Sequence, residues 1–152
     1  MREENVTKNI LKWLQNNKWE IVCFDFPQSG TGVLLHLNNT NRTEKNKGGI
    51  IPDIIAVRNG IAVFFENKDR FYQPDFDKLI EIKTKKNYSD SLELLLSDYN
   101  ISSIFYGIGI SDIKKEVDKC KLEINEIDFL ISTNKKKEVI IHYDSNTIFS
   151  NA

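Results

Sequence analysis

The chain has 152 residues, of which 40% are hydrophobic, 11% aromatic and 28% charged. This length suits one domain with a proper core, and the apolar fraction argues against wholesale disorder. Its 21 basic and 22 acidic side chains give a formal net charge of −1, which excludes a polycation of the histone or ribosomal kind but not a local basic surface. Two cysteines and two histidines are too few for a disulfide framework, and they argue against a structural zinc site.

No targeting or membrane segment is expected. The N-terminus is charged, and the longest apolar runs are about five to six residues, far short of the roughly twenty that cross a bilayer. We therefore expect a reduced, cytoplasmic protein without membrane contact.

The first part of the chain predicts a helix, a strand and a long polar segment. Apolar residues at helical spacing predict a helix over residues 3–17, and aromatic and β-branched residues predict a strand over 19–26 that Pro27 ends. Residues 28–49 show little periodicity. A segment of that length in a compact domain is usually functional or disordered.

The rest of the chain alternates strand and helix patterns. The predicted elements are strands over 51–58 and 61–68, helical segments over 75–86 and 89–99, a strand over 104–110, a helix over 112–121, and strands over 127–131 and 139–143. This order, α-β-β-β-α-β and then α-β-β, predicts an α/β fold with a mixed central sheet flanked by helices. We expect one domain over 1–152, with a core over about 3–110 and a C-terminal helix and β-hairpin over about 111–152.

The Asn59-Gly60 dipeptide brings two acidic residues together. It is the strongest short-range signal for a two-residue type I′ hairpin, and pairing across that turn places Asp53 directly opposite Glu66. Directly opposed residues share a face with Cβ atoms about 5 Å apart, and Lys68 points to the same face. Both faces of this hairpin are otherwise apolar, so it is predicted to be central and covered.

Such a pair of carboxylates is unfavourable unless a cation lies close to it. At an effective dielectric constant near 20, two like charges about 5 Å apart repel by about 3 kcal/mol. A divalent ion bound between the carboxylates replaces this repulsion by a net attraction. Mg²⁺ in particular accepts one or two carboxylates together with waters and phosphate oxygens. Lys68 beside the pair could orient or help to deprotonate an attacking water, or neutralise charge on a phosphate in the transition state.

These residues also resemble a known signature. Pro52-Asp53, followed after twelve residues by Glu66-Asn67-Lys68, resembles the PD-(D/E)xK motif of the restriction-endonuclease-like nuclease superfamily, and the predicted αβββαβ core is similar to the core of that superfamily. The resemblance implies that Asp53, Glu66 and Lys68 are catalytic and that the two acids bind Mg²⁺, with Mn²⁺ as a substitute. Many members add an acid from the first helix, which makes Glu4, ahead of Glu3, a candidate third metal ligand.

The polar segment is predicted to contact nucleic acid. Gln28-Ser29-Gly30 and residues 48–53 are similar to junction-resolvase-type and related small nucleases, which implies a nucleic-acid contact for Ser29. Arg42, Lys45 and Lys47 in the following loop suit DNA phosphates.

The function expected from these features is hydrolysis of DNA phosphodiester bonds. The first candidate is a small type II restriction endonuclease, and a homodimer is expected because a chain of this size has little spare surface for recognition. The open alternatives are a structure-specific nuclease of the junction-resolvase type and a non-catalytic nucleic-acid-binding or protein-interaction module on the same fold. For the acids themselves, the alternative is a surface ion-pair cluster at the open end of the hairpin.

Two lysine clusters are predicted to be solvated surface. One cluster lies on the helix over 75–86 and consists of Lys78, Lys83, Lys85 and Lys86. The other is the run Lys135-Lys136-Lys137 in the turn of the last hairpin.

Overall fold

The structure is a computed structural model that describes residues 1–26, 29–38 and 48–149. The predicted phosphate contacts of Arg42, Lys45 and Lys47 lie outside these residues. The helices are α1 (Glu3–Asn16), α2 (Gln73–Lys85), α3 (Ser89–Leu95) and α4 (Lys114–Lys121). The strands are β1 (Glu20–Phe24), β2 (Ile54–Arg58), β3 (Ile61–Lys68), β4 (Ser103–Ser111), β5 (Phe129–Thr133) and β6 (Val139–Asp144).

All six strands form one mixed sheet in the order β1-β2-β3-β4-β5-β6. β3, β4 and β5 are parallel to one another, whereas β1, β2 and β3 pair antiparallel, as do β5 and β6. The predicted α/β class with a mixed central sheet is therefore confirmed, and the C-terminal hairpin extends the same sheet. No helix in the described part of the chain is long and apolar enough to cross a membrane.

The β2–β3 hairpin has the predicted turn and register. Asn59 and Gly60 have φ angles of 51° and 80°, and a type I′ turn requires positive φ at both central residues. Ile54 pairs with Phe65, as pairing across this turn predicts. The strand begins at Ile54 and not at residue 51, because Pro52 has no N–H to give to a ladder.

Helices cover both faces of the sheet. α1 packs on one face through Val6, Ile10 and Leu14, which follow one another at helical spacing and are fully buried. The other face carries a second core that includes Phe76 and Leu79 of α2. Successive strand residues point to opposite faces of the sheet. The side chains near the end of β3 therefore face α1 and α2 in alternation.

The candidate site lies at the edge of the sheet where the parallel strands end. Lys68 pairs with Ile110, and Ser111 pairs with Thr133, so the carboxyl ends of β3, β4 and β5 are level. The beginning of α1 lies at the same edge, because Asn9 Nδ2 donates a hydrogen bond to Thr133 Oγ1 over 3.2 Å. Residues from four elements can therefore meet there.

Candidate active site

Asp53 is held between two strands. It directly precedes β2, and its Oδ2 accepts a hydrogen bond from the backbone N–H of Asn67 over 2.7 Å. Its backbone carbonyl accepts a hydrogen bond from the N–H of Asp25 over 2.9 Å. These two bonds fix the carboxylate beside β3, next to Glu66.

Glu66 is buried on β3 and pairs with a lysine from α2. The residue is 4% exposed, and its Oε1 lies 2.9 Å from Lys78 Nζ. The expectation that Lys78 and Lys83 belong to a solvated helix face holds only in part: both side chains are partly exposed, but Lys83 Nζ also lies 2.8 Å from a buried carboxylate, that of Asp128. Lys78 thus compensates Glu66 near the carboxyl end of β3, and Lys83 compensates Asp128 just before β5, at the opposite end of the sheet; both acids would otherwise be buried without a counter-charge.

Both acids hold their protons more tightly than usual. Burial raises the pKa of Glu66, and the neighbouring charge of Asp53 raises it further. Burial also raises the pKa of Asp53, an effect that the hydrogen bond from Asn67 partly offsets and that the charge of Glu3 reinforces. In the absence of a bound cation the pair therefore resists joint ionisation.

Asp75 is a third buried acid at this site, and it was not among the predicted site residues. It lies in the first turn of α2 with 7% of its surface exposed, and its Oδ2 is buried without a hydrogen-bond partner. Burial raises its pKa to about 6, although the charges of Lys68 and Lys78 favour its ionised form. The spacing i, i+3 between Asp75 and Lys78, which puts them on one side of a helix, was the available signal.

Lys68 lies at the end of β3 among carboxylates. Its Nζ is 3.2 Å from Oε1 of Glu3 and 5.2 Å from the centre of the Tyr72 ring. Burial disfavours the charge of Lys68, but the carboxylates of Asp75, Glu3 and Asp53 outweigh it and raise the pKa of this lysine. Lys68 is therefore a cation, and it serves poorly as a base.

The structure brings Glu3, and not Glu4, to the acid pair. Glu3 lines a cavity of about 260 Å³ together with Thr7, Asp25, Phe26 and Asp53. Glu4 instead pairs with Lys8 one turn further along α1, over 3.2 Å. The role of Glu4 as a metal ligand stays a prediction, and Glu3 is the better-placed acid of α1.

Asn67, the middle residue of the Glu66-Asn67-Lys68 motif, ties α1 to the site. Its side chain is fully buried, and its Nδ2 donates a hydrogen bond to Thr7 Oγ1 over 3.1 Å. Gly109 on β4 makes room for it, since a Cβ there would lie 2.3 Å from Asn67 Oδ1. The backbone N–H of Asn67 thus positions the carboxylate of Asp53, and the side chain of Asn67 positions α1.

Ser29 lies beside the same cavity. Its Oγ is 3.5 Å from Oδ1 of Asp25 and accepts a hydrogen bond from Thr31 Oγ1 over 3.0 Å. The predicted contact of Ser29 with nucleic acid stays a prediction, but its place next to an acid that lines the cavity is compatible with one.

No family model matches the chain, and no curated protein matches it significantly. Across residues 1–26, 29–38 and 48–149, no three acidic, histidine or cysteine side chains are grouped so that they could hold a metal ion by themselves. The arrangement is thus two adjacent buried carboxylates, Asp53 and Glu66, with the charged side chains of Glu3, Lys68, Asp75 and Lys78 around them.

Proposed function

We propose that this protein is a Mg²⁺-dependent DNA endonuclease that hydrolyses phosphodiester bonds. The observation that carries the proposal is the buried pair Asp53 and Glu66 beside the cation Lys68, with the pKa of both acids raised. Burying two adjacent carboxylates is unfavourable for folding, and a divalent cation is the ligand that makes such an arrangement favourable. Strongly perturbed acids that cluster with a lysine are typical of functional sites.

The donor set suits Mg²⁺. Asp53 and Glu66 would hold the ion, and Mg²⁺ commonly takes only one or two carboxylates and completes its shell with waters and substrate phosphate oxygens. Asp75, whose Oδ2 is buried without a hydrogen-bond partner, would add negative charge near the ion without belonging to its ligand set. Bound there, the ion would supply a Lewis acid that lowers the pKa of water and polarises the phosphate, and Mn²⁺ would substitute for it.

The lysines would act on the substrate and on the acids. Lys68, held by Glu3 over 3.2 Å, would bind a non-bridging oxygen of the scissile phosphate and stabilise the negative charge that builds up in the transition state. In the absence of other cations, Lys78 neutralises the negative charge of Glu66 through the 2.9 Å ion pair. Because the positive charge of Lys68 is stabilised by three carboxylates, proton abstraction is assigned to a solvent hydroxide or to a carboxylate and not to this amine.

Two further features support a nuclease of the restriction-endonuclease-like kind. The elements α1 to β4 follow the order αβββαβ, with the short helix α3 added after α2. Asp53 directly precedes the second strand of that order, and Glu66 and Lys68 lie on the third, which agrees with the sequence resemblance. We propose a small type II restriction endonuclease that acts as a homodimer, because two copies would cut the two strands of a duplex.

A substrate panel in Mg²⁺ tests this proposal. Purified protein is incubated with circular plasmid, linear duplex and four-way junction DNA, each with Mg²⁺ and with a chelator. Discrete plasmid fragments in Mg²⁺ alone are the expected result. Cutting confined to the junction would replace the restriction assignment by a structure-specific nuclease, and binding without any cutting would indicate a non-catalytic module.

A further inference from the structure

The turn between β5 and β6 lies at the same edge of the sheet as the acid pair. β3 ends at Lys68, and β5, two strands away and parallel to it, ends at Thr133 just before the run Lys135-Lys136-Lys137. Neighbouring strands are about 4.8 Å apart, so the start of this turn lies about 10 Å from the end of β3. We call residues 135–137 the lysine turn.

The lysine turn is exposed and carries uncompensated positive charge. All three of its side chains are exposed, and none of them forms an ion pair with another described residue. Two acids lie beside the turn and line the adjacent groove: Oδ1 of Asp112 accepts a hydrogen bond from Ser132, and Oε1 of Glu138 accepts one from Asn134. The three lysines outnumber these two acids, so a patch with a net positive charge lies beside the acid pair.

The backbone of the turn is held in place. The Oδ1 of Asn134 accepts hydrogen bonds from the N–H groups of Lys136 and Glu138 over 2.9 and 3.1 Å. The backbone carbonyl of Asn134 in turn accepts a hydrogen bond from Asn9 of α1 over 3.1 Å. The lysines therefore project from a fixed base, which lowers the entropy cost of binding a ligand.

A groove lies between this turn and the beginning of α1. It has a volume of about 510 Å³, and its charged lining residues are the lysines Lys135 and Lys136 and the acids Asp112 and Glu138. Glu3, the partner of Lys68, follows Met1 by two residues. The groove therefore lies next to the acid pair along the sheet edge.

We propose that the lysine turn and this groove bind the sugar–phosphate backbone of the nucleic acid whose scissile phosphate lies at Asp53 and Glu66. The inference rests on the proposed function and adds the path of the bound nucleic acid. The nucleic-acid strand runs across the carboxyl ends of β3, β4 and β5. The separation of about 10 Å corresponds to roughly three nucleotides at about 3.4 Å of helix rise each, so the lysines contact phosphates a few positions from the cut. The contact depends on charge and not on base identity.

The salt dependence of DNA binding tests this inference. The first variant is Lys135→Gln/Lys136→Gln/Lys137→Gln, and a second variant replaces the same three lysines by Arg. The matched control removes three positive charges from the far ends of helices that lead away from this edge, as Lys12→Gln/Lys85→Gln/Lys121→Gln. The dissociation constant for a 30-base-pair duplex is measured by fluorescence anisotropy at a fixed Ca²⁺ concentration over a series of KCl concentrations.

We expect the Gln variant of the turn to lower the slope of log K against log [salt] by about 2 to 3 units, since each lost phosphate contact removes about one unit. The Arg variant and the control keep the wild-type slope. If the turn variant and the control have the same slope while the wild type still cleaves DNA, the inference is overturned and the proposed function stands. A wild-type protein that neither binds nor cleaves DNA overturns both.

Discussion

Removing one charge from the acid pair should stabilise the metal-free protein. Asp53→Asn abolishes the repulsion between two like charges about 5 Å apart, which amounts to about 3 kcal/mol at an effective dielectric constant near 20. The amide oxygen can still accept the hydrogen bond from the N–H of Asn67, so the geometry of the strand end is preserved. The variant loses the attraction to Lys78, so we expect a net gain of about 1 to 2 kcal/mol at pH 9.

The gain in stability from Asp53→Asn must depend on pH, and it must increase as the pH rises. Because the pKa of Asp53 is raised in the folded state, the folded protein binds this proton more tightly than the unfolded chain does. The wild type therefore loses stability as the pH rises from about 4, the ordinary aspartate value, through the raised pKa. The stabilisation by Asp53→Asn should be absent below pH 4 and complete once the pH exceeds the raised pKa values of both Asp53 and Glu66, because the repulsion requires both groups to be ionised.

Thermal unfolding in a chelator measures this effect. One kcal/mol corresponds to about 3 °C in the melting temperature of a domain of this size, so we expect Asp53→Asn to melt about 3 to 6 °C above the wild type at pH 9. Asp98→Asn, which removes the same charge from an exposed position, is the control and should stay within about 1 °C. An Asp53→Asn protein no more stable than this control at pH 9, or a gain that is equal at pH 4, would refute the argument from charge repulsion.

Three further predictions concern the residues around the pair. Lys68→Ala should abolish cleavage of plasmid DNA while circular dichroism and the affinity for DNA in Ca²⁺ stay near the wild type; comparable turnover would reduce Lys68 to a counter-ion. Glu3→Gln should lower the affinity for Mg²⁺, measured by calorimetry, more than Glu4→Gln does, since only Glu3 lines the cavity; the reverse order would assign the first-helix acid to Glu4. Gly109→Ala should destabilise the protein by about 1 to 3 kcal/mol in urea unfolding, because the added methyl group overlaps with Asn67, and an unchanged midpoint would contradict this packing.

The acid pair was predictable because its geometry depends on a local signal. The dipeptide Asn59-Gly60 defines the turn, the turn defines the register, and the register places Asp53 next to Glu66. Alternation along β3 then predicts the face of Lys68. Each of these steps uses residues within 15 positions of one another.

The contributions of α2 and of the lysine turn depend on tertiary packing. Lys78 has the same local pattern as the exposed Lys85 on the same helix, and only the packing of α2 against the sheet distinguishes them. The lysine turn lies some 70 residues after Lys68, and its closeness follows from the parallel pairing of β3, β4 and β5. Sequence periodicity gives no direct measure of such pairing.

The most direct test of the central claim is a calorimetric titration of Mg²⁺ into the wild type, Asp53→Asn and the control Asp98→Asn, with DNA cleavage measured in parallel. We expect the wild type and Asp98→Asn to bind the ion with release of protons, because the raised pKa values leave the acids partly protonated and Mg²⁺ requires them ionised. Asp53→Asn should bind Mg²⁺ at least tenfold more weakly and should not cleave DNA. Equal affinity for Mg²⁺ in all three proteins, or full cleavage by the wild type in a chelator, would contradict the metal-dependent nuclease.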